Sequence, residues 1–204
     1  MISCILLSAG RNTRFGSPKG LACLDERVTV LSHLQHTLLK TPVSQIIIVL
    51  GAYRDRIESH ILKHDKITAV YNKDYLFGQT SSFQTGLNVV KKDAQGVMLL
   101  PVDYPLVKVE TLNKLIAFFF SQQPMILIPT YQSHKGHPPI FSTRLKKMFL
   151  EIEHSSGLNS LAHQMHSDTV FLPVEDPAVV QSFNTPAEFE NLKTAYLNAL
   201  KKDI

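Results

Sequence analysis

The stretch that decides the fold is Ile2-Ser3-Cys4-Ile5-Leu6-Leu7-Ser8-Ala9-Gly10-Arg11-Asn12-Thr13-Arg14-Phe15-Gly16-Ser17-Pro18-Lys19. It opens with an apolar, β-rich run, Ile2 to Leu7, and passes into a long loop that carries two glycines, Arg14 and Lys19. Glycines permit tight, φ-positive backbone, so that amide N–H groups converge on an anion, while Arg14 and Lys19 supply fixed positive charge for a triphosphate. The loop therefore reads as a polyphosphate cradle at the carboxyl end of a strand. It is not a Walker A motif, because no GK[ST] follows Gly10 at the required distance, and it is not GxGxxG, because Asn12 stands where the middle glycine belongs.

Outward from this stretch, similar apolar runs recur at Gln45 to Leu50, Ile67 to Tyr71, Val97 to Leu100, Met125 to Ile128 and Thr169 to Val174. Near-continuous apolarity predicts strands buried on both faces. Helical spacing lies between them: Leu31, Leu34 and Leu38; Phe83, Leu87 and Val90; Leu112, Leu115, Ile116 and Phe119. The alternation predicts right-handed βαβ crossovers and an α/β, Rossmann-like, mostly parallel sheet in one domain, 1–204. Thr130 to Ile140 breaks the rhythm with two prolines, a glycine and two histidines, and reads as an inserted loop or strand pair. A final helix is expected after Pro186, with Phe189, Leu192, Tyr196 and Leu200 on one face. In such sheets ligands bind outside the carboxyl ends of the strands, so the turns there are where chemistry is expected.

Composition agrees with a soluble single domain: 204 residues, 44% hydrophobic and 19% charged. No run approaches the roughly 18 apolar residues of a membrane span, and Ile2 to Ser8 has no basic leader before it. Cys4 and Cys23 lack CxxC spacing, which suits a reducing cytoplasm. The net charge of +4 is scattered, and no nucleic-acid partner is expected.

The first loop, LxAGxxxRxGxxK, resembles the signature of the MobA-like NTP transferases, a family that includes the molybdenum cofactor cytidylyltransferases and guanylyltransferases. The resemblance implies a three-layer sheet of the nucleotide-diphospho-sugar transferase type. In it Leu7, Ala9, Gly10 and Gly16 border the nucleotide, and Arg14 and Lys19 act on its phosphates. Asn72 to Gly86 is similar to the family's NxxWxxGMGTSxxxG segment, which puts Asn72, Gly78, Gln79 and Ser82 on the nucleotide side. Physically, Gly78 lets backbone approach a planar ring, and Gln79 to Ser82 offer hydrogen bonds at a helix start.

Leu100 to Pro105 resembles the family's GDxP or DxP, matching the aspartate and the following proline but not the glycine; Asp103 is the candidate Mg²⁺ ligand, since Mg²⁺ takes one or two protein oxygens and completes its shell from phosphates and water. Ser182 to Phe189 resembles DxDTPEDL or NINTPEEL, which makes Asn184 a second metal-side oxygen; cytidylyltransferases usually carry aspartate there and guanylyltransferases asparagine. His134 to Pro139 is similar to RRGHPVLF and implies acceptor contacts from Gly136 and His137, the latter a loop histidine titrating near neutrality and meeting a phosphate. His154 to Asn159 stands where relatives have GDxGAR and keeps only Gly157.

The resemblance implies a Mg²⁺-dependent nucleotidyltransferase, a monomer or weak oligomer without membrane contact. It would move a nucleoside monophosphate from an NTP to a small phosphorylated acceptor and release pyrophosphate. Ala9, where guanylyltransferases have a second glycine, favours CTP, and Gly136-His137-Pro138 favours a molybdopterin or molybdenum cofactor acceptor. A sugar or alcohol phosphate is the alternative acceptor, favoured by Asn184 and the altered Gly157 segment. A non-catalytic nucleotide-binding regulator is the third reading, opposed by intact Arg14, Lys19 and Asp103.

Overall fold

A computed structural model of the chain describes residues 1–154, 157, 158 and 165–202, so Ser155, Ser156 and Asn159 lie outside the described residues. The described strands form one eight-stranded sheet in the order β3-β2-β1-β4-β7-β5-β6, with β8 also paired to β5. These strands are β1 (Ile2–Ser8), β2 (Gln45–Leu50), β3 (Ile67–Tyr71), β4 (Gly96–Pro101), β5 (Ile126–Tyr131), β6 (His134–Lys135), β7 (Ile140–Ser142) and β8 (Thr169–Pro173). The pairs of β1 with β2 and β4, of β2 with β3 and of β5 with β8 are parallel. Antiparallel β7 lies between β4 and β5.

Alternation of side chains along β1 explains the near-continuous apolar run, broken only by the buried Ser3. Cys4 and Leu6 join one core with α1 (Val30–Leu39), α4 (Val109–Gln122) and the C-terminal helix, Pro186–Lys202, while Ile5 and Leu7 join another with Phe83 and Leu87 of α3 (Gln79–Asn88). The sheet is thus sandwiched between two helical layers, and β1, β2 and β4 are buried along their whole lengths. Thr29 starts α1 by accepting a hydrogen bond at Oγ1 from the Ser32 amide.

Two expectations need correction, one on the outer strands and one on the last helix, while the strand pair expected after Pro129 is present. Ile67 to Tyr71 is apolar but lies at the sheet edge, so β3 is half-exposed, and β8 is only partly covered. Leu200 points to solvent near the last turn of the C-terminal helix, whereas Phe189, Leu192 and Tyr196 are buried. The irregular stretch after Pro129 is the β5–β6 hairpin followed by β7; Gln132 and Ser133 make the hairpin turn with φ of 47° and 67°.

Candidate active site

The carboxyl ends of β1 and β4 open into a cavity of about 390 Å³. Leu7, Ala9, Gly10 and Lys19 reach it from the first strand and loop, Gly78, Gln79 and Ser82 from the start of α3, and Asp103 and Asn184 from the turns before α4 and the C-terminal helix. Parallel pairing sets this convergence, because Leu7 is in register with Val49 on one side and Pro101 on the other, and the Val102 amide donates to the Leu7 carbonyl. Three turns therefore leave the sheet at one level.

Lys19 is the electrostatic centre. Its Nζ lies 3.1 Å from Asp103 Oδ2 and 3.0 Å from Asn184 Oδ1, and 5.2 Å from the centroid of the Phe183 ring. Arg14, exposed at the mouth, donates from Nη2 to the same Asn184 oxygen at 3.1 Å. An aromatic knot fixes the loop: Phe15 meets Phe183 and Phe189 edge-on at 5.2 and 5.7 Å. Tyr53 adds a hydrogen bond from its hydroxyl to the Arg11 carbonyl. The C-terminal helix begins with a reciprocal capping box, in which Glu188 Oε2 accepts from the amides of Asn184 and Thr185 while the Glu188 amide donates to Thr185 Oγ1. These backbone bonds hold the Glu188 carboxyl below its ordinary pKa.

The structure distributes the expected residues unequally. Left-handed backbone in the first loop occurs at Gly16 (φ 81°) and Asn12 (φ 51°), not at Gly10, so one of the two turns is made by asparagine. Gly16 shapes the loop without lining the cavity, as Asn72 does for the next turn. Buried Asn72 donates from Nδ2 to the Ser81 and Ser82 hydroxyls and accepts at Oδ1 from the Asp74 amide. Ser82 Oγ also donates to the Gly78 carbonyl, so its hydroxyl is spent on the turn and only its surface faces the cavity. Gly78 has φ 89° and ψ −156°, backbone that only glycine adopts without strain, and a methyl group there would project into open space.

A second cavity of about 280 Å³ adjoins the first, and Gln79, Tyr104 and His137 line both. Gly136 and His137 reach it from the segment after β6. A side chain at Gly136 would collide with the Val179 carbonyl, so glycine is required where this loop crosses the 3₁₀ turn Pro177–Val180. The His137 amide donates to the same carbonyl at 2.7 Å. Burial lowers the pKa of His137, against the opposing pull of Asp103 and of a hydrogen bond to the Leu99 backbone. Burial thus disfavours the charged imidazole, which runs against the expectation of a histidine titrating near neutrality. Among the lining residues, Asn12, Tyr75, Pro101, Val102, Tyr104 and Ser182 are not marked as site residues by the sequence. Asn12 and Tyr104 sat inside the quoted motifs at positions the family patterns leave open.

Asp103 and Asn184 suit a divalent ion whose remaining ligands are phosphates. Both present an oxygen to one positive charge, the Lys19 ammonium, and the described residues hold no cluster of three or more His, Cys, Asp or Glu that would make a closed protein cage. No described helix is long and apolar enough to cross a membrane.

Known proteins resemble this chain in sequence and in fold. The chain is 20% identical over 195 residues to the molybdenum cofactor cytidylyltransferase of Escherichia coli K12, covering 96% of this chain and 97% of that protein. It is 29% identical over 147 residues to the bifunctional protein GlmU of Mycobacterium sp. strain KMS, of which it spans only 29% of the length. Its fold matches the crystal structure of Rv0371c from Mycobacterium tuberculosis H37Rv with a TM-score of 0.81 at 24% identity, over 95% of this chain and 97% of that one. Another structure of Rv0371c is a complex with manganese, with a TM-score of 0.77. The MobA-like NTP transferase domain matches residues 4–170, and the chain belongs to that family.

Proposed function

We propose that this protein is a nucleotidyltransferase that moves a nucleoside monophosphate, CMP by preference, from an NTP to a small phosphorylated acceptor and releases pyrophosphate. The observation that carries the reading is the wall of Gln79, Tyr104 and His137 common to two cavities, one of which holds Lys19 and Asp103. A donor in one cavity and an acceptor in the other would meet at that wall, which is the geometry that group transfer requires.

In this reading the base lies against Leu7, Ala9 and the Gly78–Gln79 turn, and the phosphates run along Gly10 and Asn12 towards Lys19. An acceptor phosphate is already ionised, so the step calls for positioning and charge neutralisation more than for a strong base. Lys19 and Arg14 stabilise the departing pyrophosphate. Asp103 and Asn184 would hold Mg²⁺, which when bound neutralises charge at the reacting phosphate; the manganese complex of Rv0371c supports a divalent ion in this fold. His137 orients the acceptor. A molybdopterin-type acceptor is favoured by the E. coli relative, which aligns over almost its full length.

Pyrophosphate release measured with each of the four NTPs against several phosphorylated acceptors tests the proposal. Release with CTP and one acceptor class supports it. Nucleotide binding with no release under any combination would leave a nucleotide-binding regulator.

A further inference from the structure

Lys19 opens the 3₁₀ turn Lys19–Leu21 and is buried, so its backbone and stem are fixed while its head reaches the cavity. The ammonium donates to Asp103 Oδ2 at 3.1 Å and to Asn184 Oδ1 at 3.0 Å, and the Phe183 ring backs it with a centroid 5.2 Å away. Arg14 makes a second claim on the Asn184 oxygen, from Nη2 at 3.1 Å. The two oxygens read above as ligands for a divalent ion therefore already face cations that belong to the chain itself.

Mg²⁺ takes its oxygens at about 2.0–2.1 Å, so an ion on these two atoms would lie against the ammonium that bonds them both. Like charges that close repel by more than thermal energy even at the effective dielectric of a protein surface, so the lysine and the ion exclude one another. The outer phosphates of an NTP are strong acceptors for an ammonium, and they bring metal ligands of their own. We propose that Lys19 is an internal competitor for the metal position. In the free protein it holds Asp103 and Asn184 against a divalent ion, and the phosphates of an incoming nucleotide free those oxygens by taking the lysine for themselves. Metal and nucleotide then enter together, and each raises the affinity for the other by the same factor. This rests on the reading of Asp103 and Asn184 as metal ligands beside a triphosphate site.

Mn²⁺ is a suitable probe, titrated into the full chain without nucleotide and followed by loss of the free-ion electron paramagnetic resonance signal. Lys19→Met keeps the apolar stem without the charge, and should bind Mn²⁺ about tenfold or more tightly than wild type. Asp103→Asn in the Lys19→Met background should remove that gain. Lys147→Met, which takes away an exposed charge outside the cavity, should leave Mn²⁺ affinity unchanged. A non-hydrolysable CTP analogue should show the opposite sign, binding more weakly to Lys19→Met than to wild type. Equal or weaker Mn²⁺ binding by Lys19→Met would overturn the proposal, as would an equal gain in Lys147→Met or a gain that survives Asp103→Asn. Lys19→Gln carries the same test if Lys19→Met fails to fold, and wild type that holds Mn²⁺ as tightly without the analogue as with it overturns the proposal with no variant at all. Failure of the analogue to bind would count against the triphosphate site, while the titrations of metal alone would still decide whether Lys19 keeps the ion out.

Discussion

Lys19 Nζ lies 3.1 Å from Asp103 Oδ2, with 8% of the lysine side chain and 22% of the aspartate side chain exposed to solvent. The pair joins the loop after β1 to the turn after β4, 84 residues apart, and a partly buried ammonium at such a junction faces both a carboxylate and the cavity. Lys19→Ala should weaken NTP binding much more than NMP binding, by about tenfold to a hundredfold, because its proposed partners are the outer phosphates. Titration of both ligands into wild type and variant checks this. An equal loss for NTP and NMP would remove Lys19 from the triphosphate site.

Asp103→Ala should lower kcat by about a hundredfold or more with the fold intact, since the carboxylate packs no core and is proposed to hold the metal. Circular dichroism and turnover at saturating Mg²⁺ read the two effects separately. Wild-type kcat in the variant would remove Asp103 from the chemistry.

Ala9 should favour CTP over GTP. Its backbone has little room to retreat, because the Ala52 amide donates to its carbonyl at 3.1 Å and Gly51 packs against it so closely that a Cβ there would strike that carbonyl. A purine would have to displace this backbone at a cost of about 1–3 kcal/mol. Competition between CTP and GTP at equal Mg²⁺ decides the matter, and Ala9→Gly should narrow the gap. Tighter GTP binding by the wild type would show that another residue sets base choice.

Glu188 should make stability fall in acid. Its carboxyl pKa is held down in the folded state by the Asn184 and Thr185 amides, so its contribution is fully present above the unfolded pKa and is lost as pH falls through the lower, folded value. Glu188→Gln keeps a capping acceptor without the charge, and should flatten this part of the Tm-against-pH curve while preserving nucleotide affinity. Glu188→Ala should lower Tm and, because the same carboxylate holds the Asn184 amide, weaken nucleotide binding as well. Parallel pH curves for wild type and Glu188→Gln would discount the carboxylate.

Gly78→Ala should destabilise by about 1–3 kcal/mol through backbone strain alone, because the added methyl would touch nothing while φ of 89° excludes an ordinary side chain. Chemical denaturation measures it, and a change near zero would mean that the turn relaxes freely.

The layered fold was legible because β1, β2 and β4 are central and covered on both faces, so nearly every position is apolar, with buried exceptions such as Ser3, which donates to Gln45. Ile67 to Tyr71 carries the same signal at an edge, where it misleads: composition reports what a strand tolerates, not where pairing puts it. In the site, residue types marked the loops correctly as the places that converge, but not how each polar group is spent. Asn72 reads as a ligand contact by pattern, yet its amide is consumed by Ser81, Ser82 and Asp74. Phe15 gave the opposite error, an unremarked aromatic in a polar loop whose partners, Phe183 and Phe189, lie at the other end of the chain. Burial of His137, which disfavours its charged form, includes packing against the Tyr104 ring and had no local signature.

The bond between Arg14 and Asn184 spans 170 positions, and that separation has a consequence in time. During synthesis the first loop is made early, but its partner oxygen emerges only after every strand of the sheet has been laid down. On the function proposed above, nucleotide would find no complete site on a nascent or half-folded chain, and its binding energy would be available to the finished state alone. Added ligand should consequently slow unfolding and leave the refolding rate almost untouched, the signature of contacts that form after the rate-limiting step.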